Sequence, residues 1–289
     1  MRNRFISIFT TIDNIDRRLI YLMLAITISI SLFADVSFRD EPSELVIPIF
    51  NHIENLEPGI PILISMEYSP TSEPELAPMA KAVTHHAFLA GHPICYMSLW
   101  PEGGMMINRL TDQVFATYPD AKYGKHWANL GFKVGGEMVI NSMRDSLQHI
   151  YATDAFGTSI DQIPLFNDIN NLSDFGLLLS FSGGSPGLKE WILYAGDELD
   201  IPLAGGCKGV GAPQFLPYFP GQILGLFNGL KGASEYEAAL INSRYNIDAD
   251  MLEATTRMGP QTIAHLVIMV FLVLGNISTL ALFILRRLR

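Results

Sequence analysis

From residue 60 to residue 209 the chain repeats one pattern: a short apolar run, then a longer stretch with helical spacing. "IPILISMEYSP" (60–70), "HPICYMSLW" (92–100), "KHWANLGFKV" (125–134), "DFGLLLSFS" (174–182) and "IPLAGGCKG" (201–209) read as strands. Between them, "EPELAPMAKAVTHHAFLAG", "GMMINRLTDQVFATYP", "GEMVINSMRDSLQHIY" and "GLKEWILYAGDEL" read as helices. Pro74 and Pro78 stand near the first helix's start and Gly91 stops it. Strands alternating with helices of this length predict an α/β fold: a mainly parallel sheet flanked by helices, Rossmann-like and three-layered. A strand buried on both faces is nearly all apolar, as "GLLLSF" is.

Residues 213–241 break the pattern. Pro213, Pro217 and Pro220 keep the front of this stretch out of a helix. Helix is expected over Gln222–Leu230, continuing over Glu235–Ile241. So many aromatic and leucine side chains must pack on the domain's own sheet, on a bilayer or on a partner chain. Before the pattern begins, "FRDEPSELVIPIFNHIENLEPG" reads as an irregular or helical lead-in.

The two ends are apolar. "LIYLMLAITISISLFA" (19–34) carries no charge, and "TIAHLVIMVFLVLGNISTLALFIL" (262–285) has only His265 and Asn276 as strongly polar groups. A helix needs roughly 17–25 apolar residues to cross a bilayer core. The expected organisation is a cytoplasmic tail (1–18), a transmembrane helix (19–34), an extracytoplasmic α/β domain (35–261), a second transmembrane helix (262–285) and a cytoplasmic tail (286–289). Arg2, Arg4, Arg17 and Arg18 before the first span, and Arg286, Arg287 and Arg289 after the second, favour cytoplasmic termini. A cleaved signal peptide is the competing reading of the first segment, but cleavage after Ala34 would place Leu32 where a small residue is wanted.

The intervening segment, 35–261, holds 12 basic and 27 acidic side chains, a net charge of −15. Such a surface disfavours nucleic acid and anionic lipid headgroups. Cys95 and Cys207 both fall in strands, where free buried thiols are common, although an oxidising compartment permits a bridge. No zinc spacing appears, no metal is expected, and neither G-x-G-x-x-G nor G-K-[ST] marks a nucleotide cofactor.

Three strand-to-helix turns share one grammar, with Gly-Gly pairs at Gly103–Gly104, Gly135–Gly136 and Gly183–Gly184. In a parallel sheet these turns all emerge at the carboxyl edge, where open α/β sheets bind ligands. The candidate ligand edge is therefore Glu67, Glu102, Gly103, Gly104, Lys133, Gly135, Gly136, Gly183, Gly184 and Ser185. Ser185, just before Pro186, is a natural N-cap. Ser182 and Ser185 are also the weak candidates for a nucleophile. "LLLSFSGGSPGLKEW…DIPLAGGCKGVGAP" resembles part of the ClpP–crotonase fold, which includes membrane-anchored signal-peptide peptidases. The position near Gly211–Ala212 where that resemblance calls for a serine holds none, so no nucleophile is carried over.

His85, His86 and His92 are expected at the surface or at helix caps. "YGKHWANLGFKVGGE" (123–137) and "DAFGTSIDQIP" (154–164) are the polar loops, the first with Trp127 packed inward. On the second span, Asn276 and His265 lie close to one helical face and are candidates for membrane-helix contact. These features describe a two-pass, non-enzymatic domain that binds a ligand or partner, or serves as a subunit of a membrane assembly. Its partners would be the bilayer and other membrane proteins, or further copies, contacted through the spans and residues 213–241. A membrane-bound hydrolase with an envelope substrate is the alternative.

Overall fold

The computed structural model describes residues 10–11, 14–34, 40–196, 199, 201–245 and 247–287. The chain forms two compact units, one of Met1–Phe38 with Thr256–Arg289 and one of Arg39–Thr255.

The second unit is built on six parallel strands: β1 (Ile62–Glu67), β2 (Ile94–Ser98), β3 (Trp127–Phe132), β4 (Leu177–Ser182), β5 (Leu203–Cys207) and β6 (Gly225–Asn228). Their spatial order is β3-β2-β1-β4-β5-β6, all pairs parallel. This is the doubly wound order, in which the chain winds outward twice from the centre. Every residue of β1, β2, β4 and β5 is buried, which explains their mainly apolar character.

Helices cover both faces. On one face lie α2 (Ile47–Asn55), α3 (Glu73–Leu89), α4 (Gly103–Phe115) and α7 (Gly229–Ile241); on the other lie α5 (Glu137–Asp145) and α6 (Leu188–Trp191). Side-chain alternation fixes the assignment. Leu63, Cys95, Leu130, Leu178, Leu203 and Leu226 join the core with Met143 of α5 and Trp191 of α6. Phe181 and Gly206 face the other way, toward Met79 of α3. Helix α3 has Glu73 and Glu75 in its first turn, favourable against the helix dipole, and stops before Gly91 at φ +85°.

Three elements differ from the sequence expectation. Helix was expected over Gln222–Leu230, but β6 occupies its middle. A Cβ on Gly225 would lie 2.5 Å from Ile49 Cγ1 of α2, so only glycine lets this edge strand dock beneath that helix. Helix α7 then runs unbroken across Gly232, whose absent side chain admits the backbone of Phe227. Of the helix expected over 187–199, Leu188–Trp191 forms α6 and Ile192–Gly196 a π turn, and residues 197 and 198 lie outside the described residues. Helix α5 ends at Asp145, before the extended Ser146. Cys95 and Cys207 are free and buried.

The first unit contains α1 (Arg17–Phe33), and α8 (Ala254–Arg287) runs into it. Among the described residues one helix, Ala254–Leu285, is long and apolar enough to cross a membrane. It starts at Ala254 rather than at Thr262. At 17 residues α1 rises about 25 Å, short of the roughly 30 Å hydrocarbon core.

Candidate functional site

The three Gly-Gly turns do meet at the carboxyl edge, and they largely close its centre. The switch point of a doubly wound sheet lies between β1 and β4. There Gly183 N–H donates to Glu67 O at 2.8 Å. A Cβ on Gly183 would stand 3.0 Å from Ser72 Oγ, so the β1 turn sits directly on the β4 turn. The Trp100 indole, from the end of β2, donates to Pro186 O at 2.7 Å and lies against Gly184. Gly136 packs against the Pro186 ring. The crevice that would hold a dinucleotide is filled by the protein's own turns.

Beneath this closure Glu67 is wholly buried. It accepts hydrogen bonds from Ser65 Oγ, from Ser180 Oγ at 2.8 Å and from Trp191 Nε1 at 3.3 Å. Burial pushes its carboxyl up to about 7, against the opposing pull of those three donors. The Tyr151 hydroxyl, buried in the same layer, has no hydrogen-bond partner among the described residues. Glu67 is thus an acid inside the core whose burial favours the protonated form, and not a group presented to solvent.

Two cavities flank the closed centre. The larger, about 420 Å³, lies over β3 and is lined by Gly104, Asn108, Asn129, Lys133, Tyr151, Thr153 and Asp154 among others. Lys133 Nζ rests 5.4 Å from the Tyr151 ring centroid. Asp154 accepts from Phe156 and Thr158 N–H and from the Tyr123 hydroxyl, tying together the two polar loops noted in the sequence. Trp127 stacks on Phe115 at 4.8 Å. The smaller cavity, about 200 Å³, lies between the β4 and β5 turns and is lined by Ser182, Gly183, Gly184, Ser185, Lys189, Cys207, Lys208, Val210 and Phe215 among others.

The ten candidate edge residues therefore separate. Gly104 and Lys133 reach the first cavity; Gly183, Gly184 and Ser185 reach the second. Glu102 is exposed at the start of α4. Gly103 is a packing position, since a Cβ there would lie 1.9 Å from Ser98 Oγ and 2.4 Å from Met66 O. Gly135 and Gly136, at φ +135° and +53°, supply the turn into α5. Lys189, Lys208 and Val210 escaped the sequence reading because they follow the motif glycines and carry no pattern of their own.

Ser185 is not the N-cap. That position is Gly187, and Ser185 Oγ donates to Glu190 Oε1 at 2.8 Å. Ser182, 3% exposed, accepts the Leu188 N–H at 3.1 Å. Burial pushes the Cys207 thiol up to about 12.

His85, His86 and His92 are buried, contrary to the surface expectation. Helix α3 is covered by α4 and α7, so even its polar positions face other elements. His86 Nδ1 meets Tyr236 Oη at 2.6 Å and Nε2 meets Glu54 Oε1 at 2.9 Å. Burial pushes His85 and His86 each down to about 4. With a carboxylate as acceptor-only partner, neutral His86 carries its proton on Nε2 and accepts from the tyrosine. Desolvation opposes ionisation of Glu54, but Tyr245, His86 and Arg244 together hold it below its ordinary value.

On α8, Asn276 is exposed and donates to Leu272 O within its own helix at 2.8 Å, and His265 is exposed. Comparisons with protein-family models, with curated proteins and with solved structures found no match to this chain, so its function is argued from the geometry above.

Proposed function

We propose that this chain is a membrane-anchored, non-enzymatic α/β domain that binds a ligand at the carboxyl edge of its sheet and associates with other membrane proteins. The observation that carries binding over catalysis is the engagement of both serine hydroxyls. Ser182 accepts a backbone N–H and Ser185 donates to a carboxylate, and among the described residues no histidine bonds to either. A serine nucleophile needs a general base oriented toward it.

Helix α8 supports the anchor. The arginine flanks favour a two-pass arrangement with α1 as the first span, both termini cytoplasmic and the acidic domain outside. Helix α7 is largely buried, so within 213–241 the partner surface narrows to the exposed positions of 213–221; the spans, with His265 and Asn276, are the other partner surface.

The Ser185–Glu190 contact is the one feature that favours the hydrolase. A fluorophosphonate probe is expected to leave the full chain unlabelled, and Ser182→Ala and Ser185→Ala to leave any cellular phenotype intact. Labelling at either serine, or loss of turnover in a folded variant, would establish the hydrolase instead. Protease protection of a tag at each terminus tests the topology. A tag digested from outside intact cells would reverse it.

A further inference from the structure

Five lysines of this acidic domain have no ion-pair partner among the described residues, and three of them follow strands at the carboxyl edge. Of the seven lysines in the chain, Lys81 pairs with Glu253, and Lys231 with Asp40 and Glu235. Lys122 and Lys125 precede β3. The other three, Lys133, Lys189 and Lys208, follow β3, β4 and β5, and none has an ion-pair partner among the described residues. Lys189 and Lys208 line the same cavity. Its other walls combine the polar side chains Ser182, Ser185 and Gln214 with the buried Phe215, the 92% exposed Val210 and the Gly183–Gly184 turn. The nearby acids are engaged, since Glu190 accepts from Ser185 Oγ and Gly187 N–H, and Glu75 accepts from Gly209 N–H.

We propose that this cavity is a subsite for an anionic amphiphile, a carboxylate or phosphate head on a short apolar body. The inference rests on the reading of the carboxyl edge as the ligand edge and gives that edge a ligand class. Two ammonium groups lining the cavity offer an anion charge partners that the acidic surface around it lacks, and Phe215 and Val210 give an apolar body a surface to leave water for. At about 200 Å³ the cavity lies below the roughly 300–1,000 Å³ of sites that enclose drug-sized ligands, so it takes the head and first few carbons, not a nucleotide.

The test is calorimetric titration of the full chain in phosphatidylcholine nanodiscs, with empty discs subtracted, using octyl phosphate, octanoate, octanol and inorganic phosphate. Saturable binding is expected for the two amphiphilic anions and not for octanol, with inorganic phosphate weaker. Lys189→Gln with Lys208→Gln should weaken binding by about tenfold or more, as lost hydrogen bonds to charged groups do. Val210→Glu, at a 92% exposed position, should weaken it too, whereas Lys125→Gln should not. Weaker apparent binding of octyl phosphate in discs of anionic lipid would support the subsite and identify lipid as its source; unchanged affinity would support it with a soluble ligand. Octanol binding as well as octyl phosphate would overturn the proposal, as would indifference to both cavity variants. Sensitivity to Lys133→Gln alone would overturn it while preserving the ligand edge, since the anion would then lie over β3. No saturable binding of any probe would overturn it as well; a co-purifying ligand found by mass spectrometry would show that the edge reading still stands.

Discussion

At the scale of single residues, neighbouring glycines do different jobs. Gly103 has Ser98 Oγ and Met66 O where a side chain would go, and Gly104 has open space. Gly103→Ala is expected to destabilise the domain by about 1–3 kcal/mol, the usual cost of overpacking, seen as a lower urea midpoint. Gly104→Ala, inside α4, should be neutral or stabilising by about 0.5–1 kcal/mol. Equal effects would show that the turn relaxes around either side chain.

Glu67 makes a pH prediction. Its folded value, about 7, lies above the ordinary 4.5. Between those values the folded chain holds a proton that the unfolded chain has released. The stability from this group is therefore full below pH 4.5 and lost as pH rises through 7, a difference of about 3 kcal/mol at most. His85 and His86, depressed to about 4, act oppositely: their contribution is present above pH 6.5 and lost as pH falls through 4. Glu67→Gln should remove the alkaline loss and leave the acid loss. Denaturation midpoints of both proteins from pH 4 to 8 check this, and parallel curves would sink it.

At the scale of elements, α7 holds both chain segments that lead out of the domain. Asp40 accepts from Ser234 Oγ and pairs with Lys231, and Ser43 Oγ donates to Glu235. Glu237, buried in α7, accepts the N–H groups of Glu253, Ala254 and Thr255 at 2.7–3.0 Å and the Thr255 hydroxyl at 2.8 Å. It thus caps the first turn of α8, whose N–H groups have no intrahelical acceptor. Burial raises the Glu237 carboxyl while these four bonds oppose that rise. Glu237→Ala is expected to cost about 1–3 kcal/mol and to speed amide exchange at 253–255. Unchanged protection there would mean that the cap is dispensable.

At the scale of the whole molecule, the proposed anchoring by α8 makes a prediction. An arginine at the middle of a membrane helix costs about 2.5–3.5 kcal/mol of insertion free energy on biological scales. Leu272→Arg should therefore reduce the carbonate-resistant membrane fraction, while Val210→Glu on the domain should not. A fully membrane-retained Leu272→Arg chain would argue that α8 is not what anchors it.

The sequence alone determined the layered class, because burial on both faces makes a strand continuously apolar and helical spacing between strands forces parallel pairing. It also marked the greasy ends and the carboxyl-edge turns. It could not mark β6, since "GLFN" is short and its glycine is explained only by the close approach of Ile49. Nor could it show that His85 and His86 are buried, because covering α3 with α4 and α7 is a long-range event. Only the tertiary structure decided that Trp100 and the Pro186 turn close the switch point, that Gly103 packs, and that Lys189 and Lys208 share a cavity. Those facts join residues from separate turns, and nothing in their local sequence carries the distance between them.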